Sequence, residues 1–397
     1  MRICLLYDSL QPYRIGGAER WYHGLAEALA QAGHEVDYVT LRQWPRGAAG
    51  THPSARVVAV GPWLANYGAD GNRTMLPPLL FGFGVFLHLV RFGRRYDVVH
   101  TASFPYFSLL AAALARPFGR YRIVVDWHEF WRREYWRRYL GRLGAVGWTV
   151  QALCLKVRQH AFCFAEVTAR RLGAEGINGE VERLTGAFAG AAAEAPVRAA
   201  DPLVVFAGRM IREKRLPLAL EAIAIARREI PELKGLVFGR GPDWEAGRRL
   251  VESLGLADAV SMPGIVERAD LEAAMARALC LLHPSEREGF GLVVVEAASF
   301  GTPVVLAPGE DNAAVELIAE GVNGYVAAEP TPQALASAIV RVHAAGAVLR
   351  VSTAAWFRRN ARRLSLAGSL ERVVASYAPQ APAAAAPDRS APRKKAA

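Results

Sequence analysis

One stretch of the sequence, Pro284 to Ala297, does most to limit what this chain can fold into. It follows the apolar run Ala278 to His283, which is short enough for a buried parallel strand, and it leads into apolar residues at helical spacing. Gly289 and Gly291 let a ligand approach the backbone, and the start of the new helix offers unpaired N–H groups and the positive end of a dipole. The stretch therefore predicts a strand–loop–helix unit that suits a phosphorylated ligand.

Two carboxylates in this stretch are placed to contact one ligand. Glu288 lies in the predicted loop and Glu296 in the first turns of the predicted helix, so both can converge on the hydroxyls of one molecule. Carboxylates accept hydrogen bonds from sugar hydroxyls well. For an isolated pair at this spacing, two solvated glutamates would be the commoner explanation, so the neighbouring residues decide the interpretation.

Those neighbouring residues resemble a known family. Glu-Gly-Phe-Gly-Leu at 288–292, Glu-Ala at 296–297 and Gly-Thr-Pro-Val-Val at 301–305 resemble the nucleotide-sugar site of the retaining glycosyltransferases of family 4, which have the GT-B fold. The resemblance implies an α/β protein with two Rossmann-like domains facing a central cleft. It also implies that Glu288, Gly289, Phe290 and Gly291 hold the donor sugar and that Glu296 accepts the ribose hydroxyls.

Length, composition and charge agree with a two-domain enzyme that binds anions. The chain has 397 residues, and single cores stop growing at roughly 250–300 residues. Its net charge of +11 favours anionic partners. We find no zinc-ligand spacing, no aromatic RNA-binding pattern and no basic helix-turn-helix pattern, so nucleic acid is not an expected partner. Nucleotide diphosphates and anionic lipid surfaces fit better.

Cysteine spacing and the apolar runs indicate a cytoplasmic location. The four cysteines are scattered without a C-x-x-C pair, which favours free, buried thiols in a reducing compartment. The first strand, Arg2 to Tyr7, is too short for a secretory signal. The longest apolar run, Leu76 to Val90, contains Pro77 and Pro78 and falls short of the ~20 residues that span a bilayer, so no transmembrane helix is predicted.

Repeated strand and helix patterns predict the domain organisation. Residues 1–190 form an N-terminal Rossmann-like domain, 191–202 a linker, and 203–355 a C-terminal Rossmann-like domain. The resemblance implies that the first is the acceptor domain, that the second binds the nucleotide sugar, and that a helix over 356–378 crosses back to the N-terminal domain. The tail 379–397, rich in Ala, Pro, Lys and Arg, is expected to be disordered.

A second motif brings two cations to one loop. Gly208, Arg209 and Lys214 follow the predicted strand Leu203 to Ala207, and ligands of open α/β sheets bind at the carboxyl ends of the strands. A departing nucleoside diphosphate needs its charge neutralised. Alone, such a pair would usually be solvated; here it resembles the diphosphate clamp of the same family.

Two glycine pairs are further candidates for donor binding. Gly239 and Gly241 form a G-x-G core without the third glycine of the dinucleotide fingerprint, and they resemble the family's Gly-x-Gly-Pro loop beside the nucleotide. Gly16 and Gly17 start a predicted helix, where free amides suit phosphate. They resemble the family's Gly-Gly-x-Glu, which lies near the donor phosphates or the acceptor.

A histidine completes the set of candidate catalytic residues, which are Arg209, Lys214, Glu288 and His128. His128 ends a buried strand among aromatic residues, where the resemblance implies a histidine near the donor sugar; His100 is the other candidate. No Asp-x-Asp motif occurs at a predicted strand end. The resemblance therefore implies metal-independent transfer without a cofactor.

The acceptor side is predicted from the segment Trp131 to Tyr139, which interleaves aromatic residues with arginines. That composition suits either an anionic membrane surface or a helix with one packed aromatic face. We expect a sugar, lipid-linked or small-molecule acceptor, and peripheral contact with the inner face of the plasma membrane. Two alternatives remain open: a nucleotide-sugar epimerase on the same fold and a catalytically silent binding protein.

Overall fold

The computed structural model describes residues 1–14, 16–45, 47–64, 74–190 and 199–377. Most of the predicted linker, 191–198, and the whole predicted tail, 379–397, lie outside the described residues. Two parallel sheets, each covered by helices on both faces, form the molecule. The predicted α/β architecture is confirmed.

The N-terminal sheet has seven parallel strands. They are β1 (Arg2–Leu6), β2 (Glu35–Thr40), β3 (Arg56–Ala59), β4 (Val98–Ala102), β5 (Arg122–Trp127), β6 (Gln159–Cys163) and β7 (Gly179–Arg183). Their order is β3-β2-β1-β4-β5-β6-β7. The covering helices are α1 (Gly17–Gln31), α2 (Leu76–Phe92), α3 (Phe107–Ala115), α4 (Arg133–Leu140), α5 (Gly144–Lys156) and α6 (Glu166–Ala174).

The C-terminal sheet has six parallel strands. They are β8 (Leu203–Ala207), β9 (Lys234–Phe238), β10 (Val260–Gly264), β11 (Cys280–His283), β13 (Val304–Leu306) and β15 (Gly324–Val326). Their order in the sheet is β10-β9-β8-β11-β13-β15. Two short strands, β12 (Arg287–Glu288) and β14 (Asp311–Asn312), pair with each other outside this sheet. The helices are α7 (Leu216–Ala226), α8 (Trp244–Ser253), α9 (Arg268–Arg277), α10 (Leu292–Ser299), α11 (Pro332–Leu364) and α12 (Leu366–Ser376).

The strand order of each sheet reverses direction at one point. In the first sheet this point lies between β1 and β4, and in the second between β8 and β11. The carboxyl ends of the strands at such a point leave a crevice in which ligands of α/β sheets bind. The loops after β1, β8 and β11 carry the predicted donor motifs, so the topology places all three at ligand-binding crevices.

The C-terminal helix differs from the prediction. Trp356 and Phe357 lie within α11 and are buried in the C-terminal core, where Phe357 contacts Phe188 at a ring distance of 5.5 Å. The helix predicted over 356–378 is therefore wrong in its bounds. The chain breaks at Ser365 because the Ser365 hydroxyl accepts the Gly368 N–H at 3.0 Å and starts α12.

Helix α12 makes the crossing to the N-terminal domain. Leu366 and Leu370 pack beside Gly24 of α1, where an added Cβ would lie 3.2 Å from Leu366 Cδ2. After the helix, Tyr377 is completely buried and its hydroxyl hydrogen-bonds to Nδ1 of His100. The end of the described chain is thus part of the N-terminal core.

Two helices of the described residues, Leu76–Arg95 and Pro332–Leu364, are long and apolar enough to cross a membrane by length and composition alone. Core helices meet the same criterion. The first reaches 20 residues when α2 is taken together with the 3₁₀ turn Gly93–Arg95 that follows it. One face of this helix packs in the N-terminal core: Phe81, Val85 and Leu89 are buried, and His88 Nε2 lies 2.9 Å from the buried Tyr96 hydroxyl.

Candidate active site

Two helix starts face each other across the cleft between the sheets. A Cβ placed at Gly17, the first residue of α1, would lie 3.4 Å from Leu292 Cδ1, the first residue of α10. The Glu19 carboxylate folds back over this start, since a Cβ at Gly16 would lie 2.3 Å from its Oε2. The start of α10 has no acidic residue in its first turn, so its unpaired N–H groups and positive dipole end favour an anionic ligand, whereas the start of α1 already has the Glu19 carboxylate beside it.

Lys214, Glu288 and His283 form a largely buried cluster at the carboxyl ends of β8 and β11. The Lys214 ammonium donates to Glu288 Oε1, and His283 Nε2 lies 2.7 Å from the same oxygen. Burial alone would raise the pKa of Glu288, but Lys214 and His283 overcome it and hold that pKa well below its ordinary value. Glu288 is therefore an ionised acceptor that holds the lysine ammonium in place.

Arg209 lies on the same loop as Lys214 but points to solvent. The loop leaves β8 at Gly208 and reaches Lys214 through a 3₁₀ turn, Arg212–Lys214. Arg209 is exposed, and its guanidinium has no ion-pair or hydrogen-bond partner among the described residues. Its charge is thus available to a ligand, whereas that of Lys214 is shared with Glu288.

The backbone from Gly289 to Gly291 brings the C-terminal domain against strand β5. A Cβ at Gly289 would lie 2.5 Å from the His128 carbonyl oxygen, and Phe290 contacts Phe164 at a ring distance of 6.4 Å. Gly291 has φ of 95°, which side-chain-bearing residues rarely adopt, and it precedes the first residue of α10. These residues bring together the two sides of the cleft.

Glu296 also reaches the opposite domain. It lies in the second turn of α10, and its Oε1 lies 3.5 Å from the guanidinium of Arg20 on α1. Both side chains are partly exposed, so the pair borders the cleft. Glu296 is therefore close to the first turn of α1.

The two candidate histidines have different surroundings. Nε2 of His100 lies 3.0 Å from Asp126 Oδ2 and its Nδ1 bonds to Tyr377, so both nitrogens are occupied within the core. His128 stacks on Phe164 at 5.3 Å, and its Nε2 has no partner among the described residues. Burial lowers the pKa of His128 and favours the neutral imidazole. Of the two, His128 is the one whose Nε2 lacks a partner side chain among the described residues, and this nitrogen is buried.

Gly239 and Gly241 have a packing role. A Cβ at Gly239 would lie 1.9 Å from the Gly208 carbonyl oxygen, and one at Gly241 would lie 2.3 Å from that of Met210. Their loop therefore packs directly on the loop that carries Arg209, and any side chain at either position would displace it. Their contact with a donor stays a prediction.

Sequence and structure comparisons follow the same division into two halves. The model of Glycosyltransferase Family 4 matches residues 15–185, and that of Glycosyl transferases group 1 matches residues 192–363. The chain belongs to glycosyltransferase family 4. The family assignment suggested by the motifs at 208–214 and 288–297 is thereby confirmed.

Curated relatives of this family 4 chain include a glycogen synthase and a poly(glycerol-phosphate) alpha-glucosyltransferase. Glycogen synthase of Mycobacterium tuberculosis (strain ATCC 25618 / H37Rv) is 28% identical over 336 residues, which cover 77% of this chain and 77% of the relative. Poly(glycerol-phosphate) alpha-glucosyltransferase of Bacillus subtilis (strain 168) is 35% identical over 136 residues, covering 34% of this chain and 20% of the relative. The chain thus spans only a fifth of the second relative.

Solved structures of similar proteins show the GT-B fold. Sucrose-phosphate synthase from Thermosynechococcus elongatus has a TM-score of 0.75 at 19% identity and covers 95% of this chain and 98% of its own. Anabaena HepE, solved with UDP and glucose, has a TM-score of 0.72 at 19% identity, and the match covers 95% of this chain and 99% of the HepE chain. The predicted GT-B architecture is confirmed, and the chain is a glycosyltransferase of this type.

The segment Trp131 to Tyr139 of this glycosyltransferase lies against the C-terminal domain. The Arg287 guanidinium stacks over the rings of Trp131 (4.5 Å) and Tyr135 (4.0 Å), and the Tyr135 hydroxyl donates to Glu213 at 2.9 Å. Arg138 pairs with Glu286 at 2.6 Å. These aromatic side chains are occupied by protein contacts, which agrees with the alternative of a helix with one packed aromatic face. Membrane contact of this segment stays a prediction.

Three residues at the cleft were not predicted as site residues. His283 and Arg20 contact the two predicted glutamates, and Arg287 pairs with Glu129 at 2.5 Å across the cleft. His283 and Arg287 lie close to Glu288 in the sequence, and this proximity could have predicted that they belong to the site. No clue in the sequence joins Arg20 to Glu296, because the contact depends on how the two domains meet.

Proposed function

We propose that this chain transfers a sugar from a nucleotide-diphosphate donor to an acceptor, with retained anomeric configuration and without a metal ion. The observation that carries the proposal is the convergence of the starts of α1 and α10 on a cleft bordered by Arg209 and Lys214. A diphosphate supplies the negative charge that these groups favour. The solved relatives with UDP and with UDP-glucose support a nucleotide-sugar donor.

The cations act on the leaving group in this proposal. Arg209 and Lys214 stabilise the diphosphate as its bond to the sugar breaks, which lowers the barrier because the charge develops in the transition state. An oxygen of the departing diphosphate accepts the proton of the acceptor hydroxyl on the same face of the sugar. A protein nucleophile is then not required.

Glu288 changes partners during the cycle. Without ligand it accepts from Lys214. A bound diphosphate competes for the Lys214 ammonium, and the released carboxylate accepts hydroxyl groups of the donor sugar. We propose that His128 contacts the same sugar through its unpartnered Nε2. Glu296 takes the ribose hydroxyls.

The acceptor side is the N-terminal domain. We propose a sugar, a lipid-linked cell-envelope precursor or another small molecule as acceptor. We also propose a cytoplasmic location, which the four buried, unbridged cysteines support.

A ligand screen followed by turnover assays tests the proposal. A matching nucleotide sugar should raise the melting temperature, since a ligand at 100 times its Kd stabilises by about 2.7 kcal/mol. Donor consumption should then require an acceptor and should be unchanged by EDTA. Product release without acceptor would indicate an epimerase. Donor binding without turnover would indicate a silent binding protein, and inhibition by EDTA would indicate a metal-dependent enzyme.

Glu288→Gln and Glu296→Gln should separate the two glutamates. We expect Glu296→Gln to weaken affinity for the free nucleoside diphosphate by about 10-fold, the effect of one lost hydrogen bond to a charged group. Glu288→Gln should lower transfer while leaving that affinity nearly unchanged. Calorimetric titration with the nucleoside diphosphate checks both, and equal losses in the two variants would contradict the division of roles.

A further inference from the structure

Helix α2 exposes an apolar stripe along one side. Met75, Leu76, Leu79, Phe83 and Leu87 are all exposed, with Phe83 at 61%, and their spacing of three and four residues places them on one face. The opposite face is buried in the N-terminal core. Exposed apolar groups that form a continuous stripe, unlike scattered ones, mark an interaction surface.

Helix α3 and the turn that follows it add two exposed apolar residues beside α2. Leu114 is 69% exposed and Phe118 47% exposed. The two helices are closely packed, since a Cβ at Gly82 of α2 would lie 2.6 Å from Phe107 Cβ at the start of α3. We call the exposed residues of this pair the α2–α3 face: Met75, Leu76, Leu79, Phe83, Leu87, Leu114 and Phe118.

Arginines flank one end of the α2–α3 face. Five of them are exposed: Arg91, Arg94, Arg95, Arg116 and Arg120. Between Leu76 and Arg120 the sequence has one acidic residue, Asp97, and its carboxylate accepts the Arg2 N–H at 2.8 Å. The face therefore combines apolar side chains with a local excess of positive charge.

We propose that the α2–α3 face docks on the surface of an anionic lipid bilayer. In this arrangement α2 lies parallel to the membrane with Leu79, Phe83 and Leu87 at the acyl boundary. The arginines at its end contact lipid phosphates. Charge complementarity decides for lipid over a second copy of the chain, because two copies joined through this face would bring their arginine groups together.

The docking orients the cleft toward the bilayer. Helix α2 follows β3 in the chain, so its first turn lies near the carboxyl ends of the strands, where the cleft opens. A lipid-linked acceptor could enter from the membrane by this route. That last step rests on the proposed function, whereas the docking itself does not.

Sedimentation with vesicles tests the docking. Wild-type chain should bind phosphatidylglycerol-containing vesicles at low salt, bind less at high salt, and not bind phosphatidylcholine vesicles. Phe83→Glu with Leu87→Glu should weaken binding at least about 10-fold, because a charge on the apolar face opposes insertion. The matched control is Val348→Glu with Val351→Glu, two exposed apolar residues of α11 in the other domain, which should bind like wild type.

Three results would overturn the proposal. The first is that the wild-type chain does not bind phosphatidylglycerol-containing vesicles, and the second is that the double variant binds them as well as wild type. The third is that the chain forms a dimer without lipid and that Phe83→Glu with Leu87→Glu dissociates it, which would assign the face to a second copy. Melting temperature and donor binding establish that each variant is folded. Should the double variant not fold, Arg91→Gln with Arg94→Gln tests the same surface, and unchanged binding by that variant would also contradict it. A variant that loses vesicle binding but still turns over a soluble acceptor would support the docking while leaving the proposed function intact, so the two proposals can fail independently.

Discussion

Replacing Lys214 with methionine is expected to lower kcat by about 10²–10³-fold, the typical effect of removing one group that stabilises transition-state charge. The Cδ and Cε atoms of Lys214 lie 3.8 Å from the Cβ position of Gly208 at the carboxyl end of β8, and the ammonium is held by Glu288. Methionine keeps most of the side-chain volume and removes the charge. Steady-state kcat and KM for the donor measure the effect.

A second variant separates catalysis from stability. Lys214→Met leaves the largely buried Glu288 carboxylate without its ammonium, which costs stability as well as activity. Adding Glu288→Gln should recover the melting temperature but not kcat. Lys234→Met is the matched control, because Lys234 is exposed at the opposite end of the same sheet and should leave both unchanged. Wild-type kcat in Lys214→Met would remove the lysine from the mechanism.

Replacing Gly289 with alanine is expected to lower kcat/KM by about 10²-fold, since small displacements of reacting groups have effects of this size. The new Cβ would lie 2.5 Å from the His128 carbonyl oxygen and 2.9 Å from Glu129 Cγ, both in the other domain. Backbone atoms cannot rotate away as a side chain can. The domains must therefore separate slightly, which moves the donor loop away from His128.

Gly173→Ala provides the comparison. Gly173 lies in α6, and a Cβ there would meet nothing within 4 Å, so its kcat/KM should equal that of wild type. Small-angle scattering of Gly289→Ala should show a larger radius of gyration, while its melting temperature changes little because each domain core is untouched. Wild-type kcat/KM would show that the cleft does not need this close approach.

Much of the fold follows from local sequence. Runs such as Leu203 to Ala207 are apolar throughout, and buried parallel strands have this composition. Strand β7 was not predicted because its residues, Gly-Glu-Val-Glu-Arg, are charged and lie at the sheet edge. An edge strand lacks the continuous apolar run, and its pairing with β6 is apparent only once the sheet is assembled.

The candidate site was predictable where it depends on local chain geometry. Lys214 and Glu288 belong to loops at the ends of strands, and the parallel sheet brings such loops together. The bond between them joins residues 74 positions apart, and no local pattern specifies it. The same holds for the contact between Arg287 and Trp131, which joins the two domains within a segment whose composition also suits a membrane surface.

The crossing of α12 matters for protein engineering. Leu366, Leu370 and Tyr377 complete the N-terminal core although they follow the whole C-terminal domain in sequence. A chimera intended to exchange donor specificity therefore needs two junctions, one before β8 and one near Ser365, with residues 366–377 retained from the parent of the N-terminal half. A single-junction exchange would combine mismatched halves of one core.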